Sequence, residues 1–166
     1  APALALLQLA AAVEAKSEHP LAQAIVTESK QRGLAQVECA AFQSSSGKGA
    51  SGLVNGRRIA VGNARYFAAR NISVADGFAR QIATLQDDGK TSVIVGDIDE
   101  ATGNAEVLGA IAIADVLRAD AVSVVQQLKT NGIERVVMLT GDNTRVAQAI
   151  AKQAGVDEFQ ADLLPE

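Results

Sequence analysis

The single histidine of the chain, His19, lies in the run Ser17-Glu18-His19-Pro20-Leu21-Ala22, and Glu14 precedes it. On a helix that separation is roughly one and a half turns. A neutral imidazole can stack on a purine or hydrogen-bond it. An ionised carboxylate is an acceptor only, so it can take the exocyclic amine of adenine. The plainer alternative makes Glu14 and Glu18 a solvated face and His19 an exposed ring. Further on, Gly47-Lys48-Gly49-Ala50-Ser51-Gly52 spells G-x-G-x-x-G. The dinucleotide fingerprint needs a helix after those glycines, to receive the pyrophosphate. A hairpin pattern follows instead. Two readings remain for Gly47 and Gly49: a glycine-rich entry into a hairpin, or a backbone that approaches a flat ligand so closely that a Cβ would collide. On the second reading, Gly49→Val weakens ligand binding and leaves the fold in place.

Gly62-Asn63 ends a strand pattern and opens a helix pattern. Asn63 is either a helix cap or an amide that recognises a ligand. Val136-Val137-Met138-Leu139 runs into Thr140-Gly141-Asp142. That puts a hydroxyl and a carboxylate at the carboxyl end of a strand, just before a helix, where open α/β sheets bind phosphoryl groups. The alternative is that Asp142 or Asn143 simply caps the helix. No G-x-x-x-x-G-K-[ST] loop occurs, and with one histidine no second imidazole can serve a Ser or Cys nucleophile.

Helical spacing of Leu4, Leu7, Ala11 and of Leu6, Leu9, Val13 predicts a helix over residues 3–16. Pro20 suits a first helical position and Gly33 a stop, which predicts a second helix over 20–32. Val37, Cys39 and Ala41 alternate with Glu38 and Ala40 as in a strand, and 44–47 reads as a loop. Asn55-Gly56 between two strand-like runs is a strong hairpin signal. Helices are expected over 63–70 and 74–85, and strands over 92–98 and 106–114, joined by a turn through Thr102-Gly103-Asn104. The first part is thus α+β: an antiparallel sheet flanked by helices, with the helices expected on one side. A helix over 120–130, a strand over 136–139 and a helix over 144–154 then predict a partial doubly wound α/β segment, its strand buried as parallel strands are. The division is expected at 1–116 and 117–166.

The chain has 166 residues, is 48% hydrophobic and 20% charged, and carries a formal net charge of −4. That composition excludes a disordered chain. An acidic chain with four Phe, one Tyr and no Trp lacks the basic, stacking surface of a nucleic-acid binder. The lone Cys39 closes no intramolecular disulfide. The apolar stretch 1–13 falls short of the roughly 20 residues of a spanning helix and has no basic start. Without an initiator Met, and ending on Leu-Leu-Pro-Glu, the sequence reads as a piece of a longer protein.

Together these motifs resemble the heavy-metal-transporting branch of the P-type ATPases, copper exporters in particular. Ser17-Glu18-His19-Pro20-Leu21-Ala22 is similar to that branch's SEHPLA box, Gly47-Lys48-Gly49 to its G-x-G loop, and Val61-Gly62-Asn63 to its hydrophobic-G-N element. Asp115-Val116-Leu117-Arg118 resembles the D-x-x-R hinge. Thr140-Gly141-Asp142 resembles the TGD of a haloacid-dehalogenase-like phosphorylation domain, and Ala161 to Glu166 its A-x-L-x-P-E. The resemblance implies a nucleotide-binding domain followed by part of a phosphorylation domain. Glu14, His19, Gly47, Gly49, Gly62 and Asn63 would line the adenosine pocket of ATP. Thr140, Gly141 and Asp142 would lie by the transferred phosphate.

The family's D-K-T-G-T strand, with its phosphorylated aspartate, and its G-D-G-x-N-D segment, which helps hold Mg²⁺, have no match in the sequence. Phosphoryl transfer needs both acceptor and metal, so the chain alone is expected to be inactive. The implied partners are ATP and the rest of a pump: phosphorylation, actuator and transmembrane domains. The implied place is the cytoplasmic face of a membrane. Two alternatives stay open: a stand-alone nucleotide-sensing or interaction domain, and a piece of a haloacid-dehalogenase-like phosphatase.

Overall fold

The structure, a computed structural model, describes residues 2–45, 48–99, 101–102, 104–114 and 116–163. The predicted Gly103 turn position, Asp115 of the hinge motif and 164–166 of the last motif lie outside these residues. The chain divides into two compact units, Ala1–Asp76 with Ser92–Ile113, and Gly77–Thr91 with Ala114–Glu166.

In the first unit, helices α1 (Pro2–Glu14) and α2 (Pro20–Gln31) precede the strands β1 (Cys39–Ser45), β2 (Gly49–Val54) and β3 (Arg57–Gly62). A short helix α3 (Ala64–Ala68) follows; β4 (Lys90–Ile98) and β5 (Ala105–Ala114) complete a five-stranded sheet in the order β1-β2-β3-β4-β5. The β1–β2, β2–β3 and β3–β4 pairs are antiparallel. Asn55 (φ 51°) and Gly56 (φ 77°) both take positive φ between the paired Val54 and Arg57. Two such angles in a row make the hairpin turn whose twist matches the strands.

Along β3, side chains alternate between the two faces. Ile59 and Val61 join Ala50, Val54, Val93 and Val95 in one core with Leu7, Ala10, Val13 and Ile25 of α1 and α2. The opposite face is built for α3. There Gly49, Gly62 and Gly96 leave room for Tyr66 and Phe67, both fully buried. The sheet is therefore flanked by helices on both faces, not on one side as the pattern suggested. The glycines that permit this carry no hydrophobic signal.

β1 runs on through Ser44 and Ser45, where a loop was expected. Ala41 has φ 45° and the β1–β2 register shifts between Ala40 and Gln43. This bulge breaks the two-residue phase. Cys39 points inward and Ala41 does not; Phe42 packs on the core instead.

The second unit holds α4 (Asp76–Asp87, from Gly77 on), α5 (Ala121–Thr130), β6 (Val137–Leu139), α6 (Thr144–Ala154) and β7 (Glu158–Gln160). β6 and β7 pair in parallel. The α4 end belongs with this unit: Arg145 holds both oxygens of Asp87 at 2.8 and 3.0 Å, and a Cβ on Gly89 would stand 3.1 Å from Ile150. β6 was expected to be buried, yet Val137 is 42% and Leu139 65% exposed. Parallel strands are buried only when layers cover both faces. Among the described residues this two-stranded sheet has no further strand beside it. Val146, Ala147, Ala151 and Ala154 of α6 are buried. Among the described residues no helix is long and apolar enough to cross a membrane.

Candidate functional site

The first cluster forms where α1 ends. Leu- and Ala-rich sequence favours the helix as far as Glu14, and the Ser17 N–H donating to the Glu14 carbonyl at 2.9 Å closes its last turn. Glu14 is the last helical residue and is only 9% exposed. Burial pushes its carboxyl pKa up, because the charged form loses water; a hydrogen bond from the Ser17 side chain pulls partly the other way. Two residues on, the His19 N–H donates to the Ser17 hydroxyl at 3.3 Å.

His19 is the N-cap of α2. Its backbone is extended (φ −69°, ψ 139°), as a residue before proline must be. Its Nδ1 accepts the Leu21 N–H at 3.2 Å. A helix amino end leaves N–H groups without partners, and here the imidazole supplies one. The ring is exposed, with Nδ1 taken up by the cap.

The second cluster forms where β2 begins and β3 ends. Gly49 pairs with Gly62 in the ladder. A Cβ on Gly49 would stand 2.5 Å from the Val61 carbonyl and 2.7 Å from the Gly62 Cα; one on Gly62 would stand 2.8 Å from the Lys48 carbonyl and from Tyr66 Cγ. The chain's own packing therefore demands glycine at both positions. This corrects the expectation that a larger residue at 49 would spare the fold. Asn63 caps α3, its Oδ1 accepting the Tyr66 N–H at 2.9 Å, and its N–H donates to the Lys48 carbonyl at 3.0 Å. The Arg70 guanidinium lies 3.6 Å over the Tyr66 ring. Gly47 lies outside the described residues. Val13, next to Glu14, sits in the core on one face of the sheet with Ala50 and Val61, whereas Gly49 and Gly62 face the other side, toward Tyr66.

Thr140, Gly141 and Asp142 form a loop after β6, within the second unit. The Thr140 hydroxyl donates to Asp142 Oδ2 at 2.9 Å and accepts the Asp142 N–H at 3.1 Å. The Thr91 hydroxyl donates to Asp142 Oδ1 at 3.4 Å. The cap of α6 is Asn143, whose Oδ1 accepts the Arg145 and Val146 N–H groups at 3.0 and 3.2 Å. Both oxygens of Asp142 are thus engaged by hydroxyls. Among the described residues no cluster of three or more His, Cys, Asp or Glu could hold a metal ion. In this arrangement Asp142 braces the loop.

Three contributors escaped the sequence reading: Ser17, Tyr66 and Thr91. Ser17 stood inside the recognised box; its spacing of two from His19 was the available signal. Thr91 offered none, since Asp142 lies 51 residues away, and nothing near Tyr66 in sequence tells that it packs on β2 and β3.

Residues 3–165 match the family model of haloacid dehalogenase-like hydrolases. The chain is 41% identical over 160 residues to a copper-exporting P-type ATPase of Staphylococcus aureus (strain bovine RF122 / ET3-1), covering 96% of the chain and 19% of that protein. It thus spans about a fifth of that relative's length. Among solved structures, a zinc-transporting PIB-type ATPase in its E2.Pi state superposes with a TM-score of 0.68 at 41% identity, over 96% of this chain and 24% of the other. The N-domain of a copper-transporting P-type ATPase superposes at 0.54 and 31% identity, over 67% of this chain and 89% of the other.

Proposed function

Since the chain belongs to the haloacid dehalogenase-like hydrolase family, we propose that it binds the adenosine part of ATP for a membrane pump that exports a heavy-metal cation by ATP hydrolysis through an aspartyl-phosphate. Residues 1–116 act as the nucleotide-binding domain and 117–166 as part of the phosphorylation domain, on the cytoplasmic face of the membrane. The N-domain likeness, over 67% of this chain, supports the first assignment, and the Thr140-Gly141-Asp142 motif after β6 the second.

One observation carries the adenosine reading: a buried carboxylate, Glu14, ends α1 five residues before an exposed imidazole, His19, whose Nδ1 is already engaged. A desolvated acceptor together with an exposed ring N–H suits a flat heterocycle that carries both an amine and ring acceptors. Gly49, Gly62 and Asn63 are proposed to line the pocket with Gly47 through their backbone, and Thr140, Gly141 and Asp142 to serve the phosphate side. Copper(I) is the proposed cargo, after the hydrophobic-G-N element; the relatives include both copper and zinc transporters at 41% identity.

A pocket that holds mainly the base binds in the micromolar to millimolar range, about −4 to −8 kcal/mol. Titration of the isotope-labelled chain with ATP and with GTP tests it. The expected result is amide shifts near Glu14, His19, Gly49 and Asn63 that are larger for ATP. Equal shifts for both nucleotides, or none near His19, overturn the reading. For the cargo, ATP hydrolysis by the full pump should respond to Cu(I) and not to Zn²⁺.

A further inference from the structure

Ser17 lies at the α1–α2 junction, between Glu14 and His19. A hydroxyl offers one proton and two lone pairs. The Ser17 Oγ accepts the His19 N–H at 3.3 Å, which leaves its own proton to donate toward the Glu14 side. The two residues it lies between are unlike in exposure: Glu14 is buried, His19 exposed. Beyond His19 the same run of bonds continues, because the Leu21 N–H donates to Nδ1. A ring nitrogen that accepts an N–H carries no proton, so the neutral ring must carry its proton on Nε2. An imidazole free to rotate or tautomerise would divide its time between two donor positions, and recognition would lose by that division. What fixes the ring is the backbone path from Ser17 to Leu21.

We propose that Ser17 is a positioning residue of the nucleotide site: by accepting the His19 backbone N–H it fixes the cap that holds the imidazole as a single tautomer, with Nδ1 on the Leu21 N–H and Nε2–H left for the ligand. Ser17 itself does not touch the base. The affinity part of this inference rests on the adenosine reading; the tautomer part rests on geometry alone.

The test uses the full chain, labelled with ¹⁵N in the histidine ring, at pH 8 and without nucleotide. Ring-nitrogen shifts separate a bare Nδ1 with a protonated Nε2 from a mixture. The wild-type chain should show the single tautomer. Ser17→Ala should move both ring shifts toward an averaged pair and weaken ATP binding about three- to tenfold, the worth of one modest hydrogen bond. Ser17→Thr keeps the hydroxyl and should restore both. A wild-type ring protonated at Nδ1, or a Ser17→Ala chain with unchanged ring shifts, overturns the proposal. The first of these readouts needs no variant, so it stands even if Ser17→Ala fails to fold. If the ring shifts respond as expected while neither chain binds ATP, the positioning role holds and the adenosine reading falls.

Discussion

Gly49 stands directly opposite Gly62 in the β2–β3 ladder, and both lie against Tyr66, which is completely buried. The pair lets an aromatic side chain from α3 lie on the strands where a Cβ would occupy the space. Tyr66 and Phe67 also meet edge to face, with ring centroids 5.6 Å apart, a favoured arrangement for aromatic rings. The end of β3 and the cap at Asn63 are fixed by this contact, so the position of the candidate pocket depends on two absent side chains.

Gly49→Ala should therefore destabilise the first unit by about 1–3 kcal/mol, as overpacking does. The opposing atoms are backbone, which cannot swing aside. Gly62→Ala should behave alike. Urea unfolding followed by circular dichroism measures this, and an unchanged midpoint for both variants would show that the strands part without cost.

His19→Asn should separate capping from recognition. Asparagine is among the preferred caps and can accept the Leu21 N–H in place of Nδ1. Stability should stay within about 0.5 kcal/mol of the native chain. ATP affinity should fall clearly, because the ring is gone. Paired thermal melts and nucleotide titrations check it, and an Asn variant that binds ATP as the native chain does would remove His19 from the pocket.

Glu14 gives a pH dependence whose sign can be worked out. Its folded-state pKa is raised above the ordinary value of 4.5, with burial the largest cause. Between the unfolded and folded values the native state binds more protons than the unfolded one. Stability therefore falls as pH rises through that window, and the penalty is complete above the folded pKa. Glu14→Gln removes the charge. It should be more stable than the native chain at neutral pH, lose that advantage on acidification, and bind ATP more weakly. Melting temperatures from pH 4 to 8 decide it; a constant difference between the two proteins is the contrary outcome.

Asp157 should respond in the opposite direction. The Lys129 ammonium, 2.7 Å away, and the Val136 N–H, 2.8 Å away, hold its pKa below the ordinary value of 3.8. Its contribution to the second unit is present above the unfolded value and is lost as pH falls through the folded one. The side-chain carboxyl resonance should titrate below 3.8 in the native chain and higher in Lys129→Met. Identical titrations would mean that the pair is broken in solution.

By itself the sequence determined what depends on neighbours along the chain. Pro20 and Gly33 framed α2, Asn55-Gly56 specified the hairpin, and the helix expected at 144–154 is α6, residue for residue. Each is a local matter of φ, of a missing N–H or of helical period. The family, too, was legible, because its motifs are short and contiguous. Tertiary structure alone decided the rest. The bulge at Ala41 turned Phe42 toward the core, which no alternation rule foresees. The segment 77–91 packs with the later unit through Arg145–Asp87 and Gly89–Ile150, partners more than fifty residues apart. β6 has the composition of a buried strand and is exposed, because burial depends on neighbouring layers and not on the strand's own residues. Gly49 read in sequence as either a hairpin entry or a close approach to a flat ligand; in the fold Tyr66 lies against it, since a glycine records only that something comes close and the third dimension determines what does.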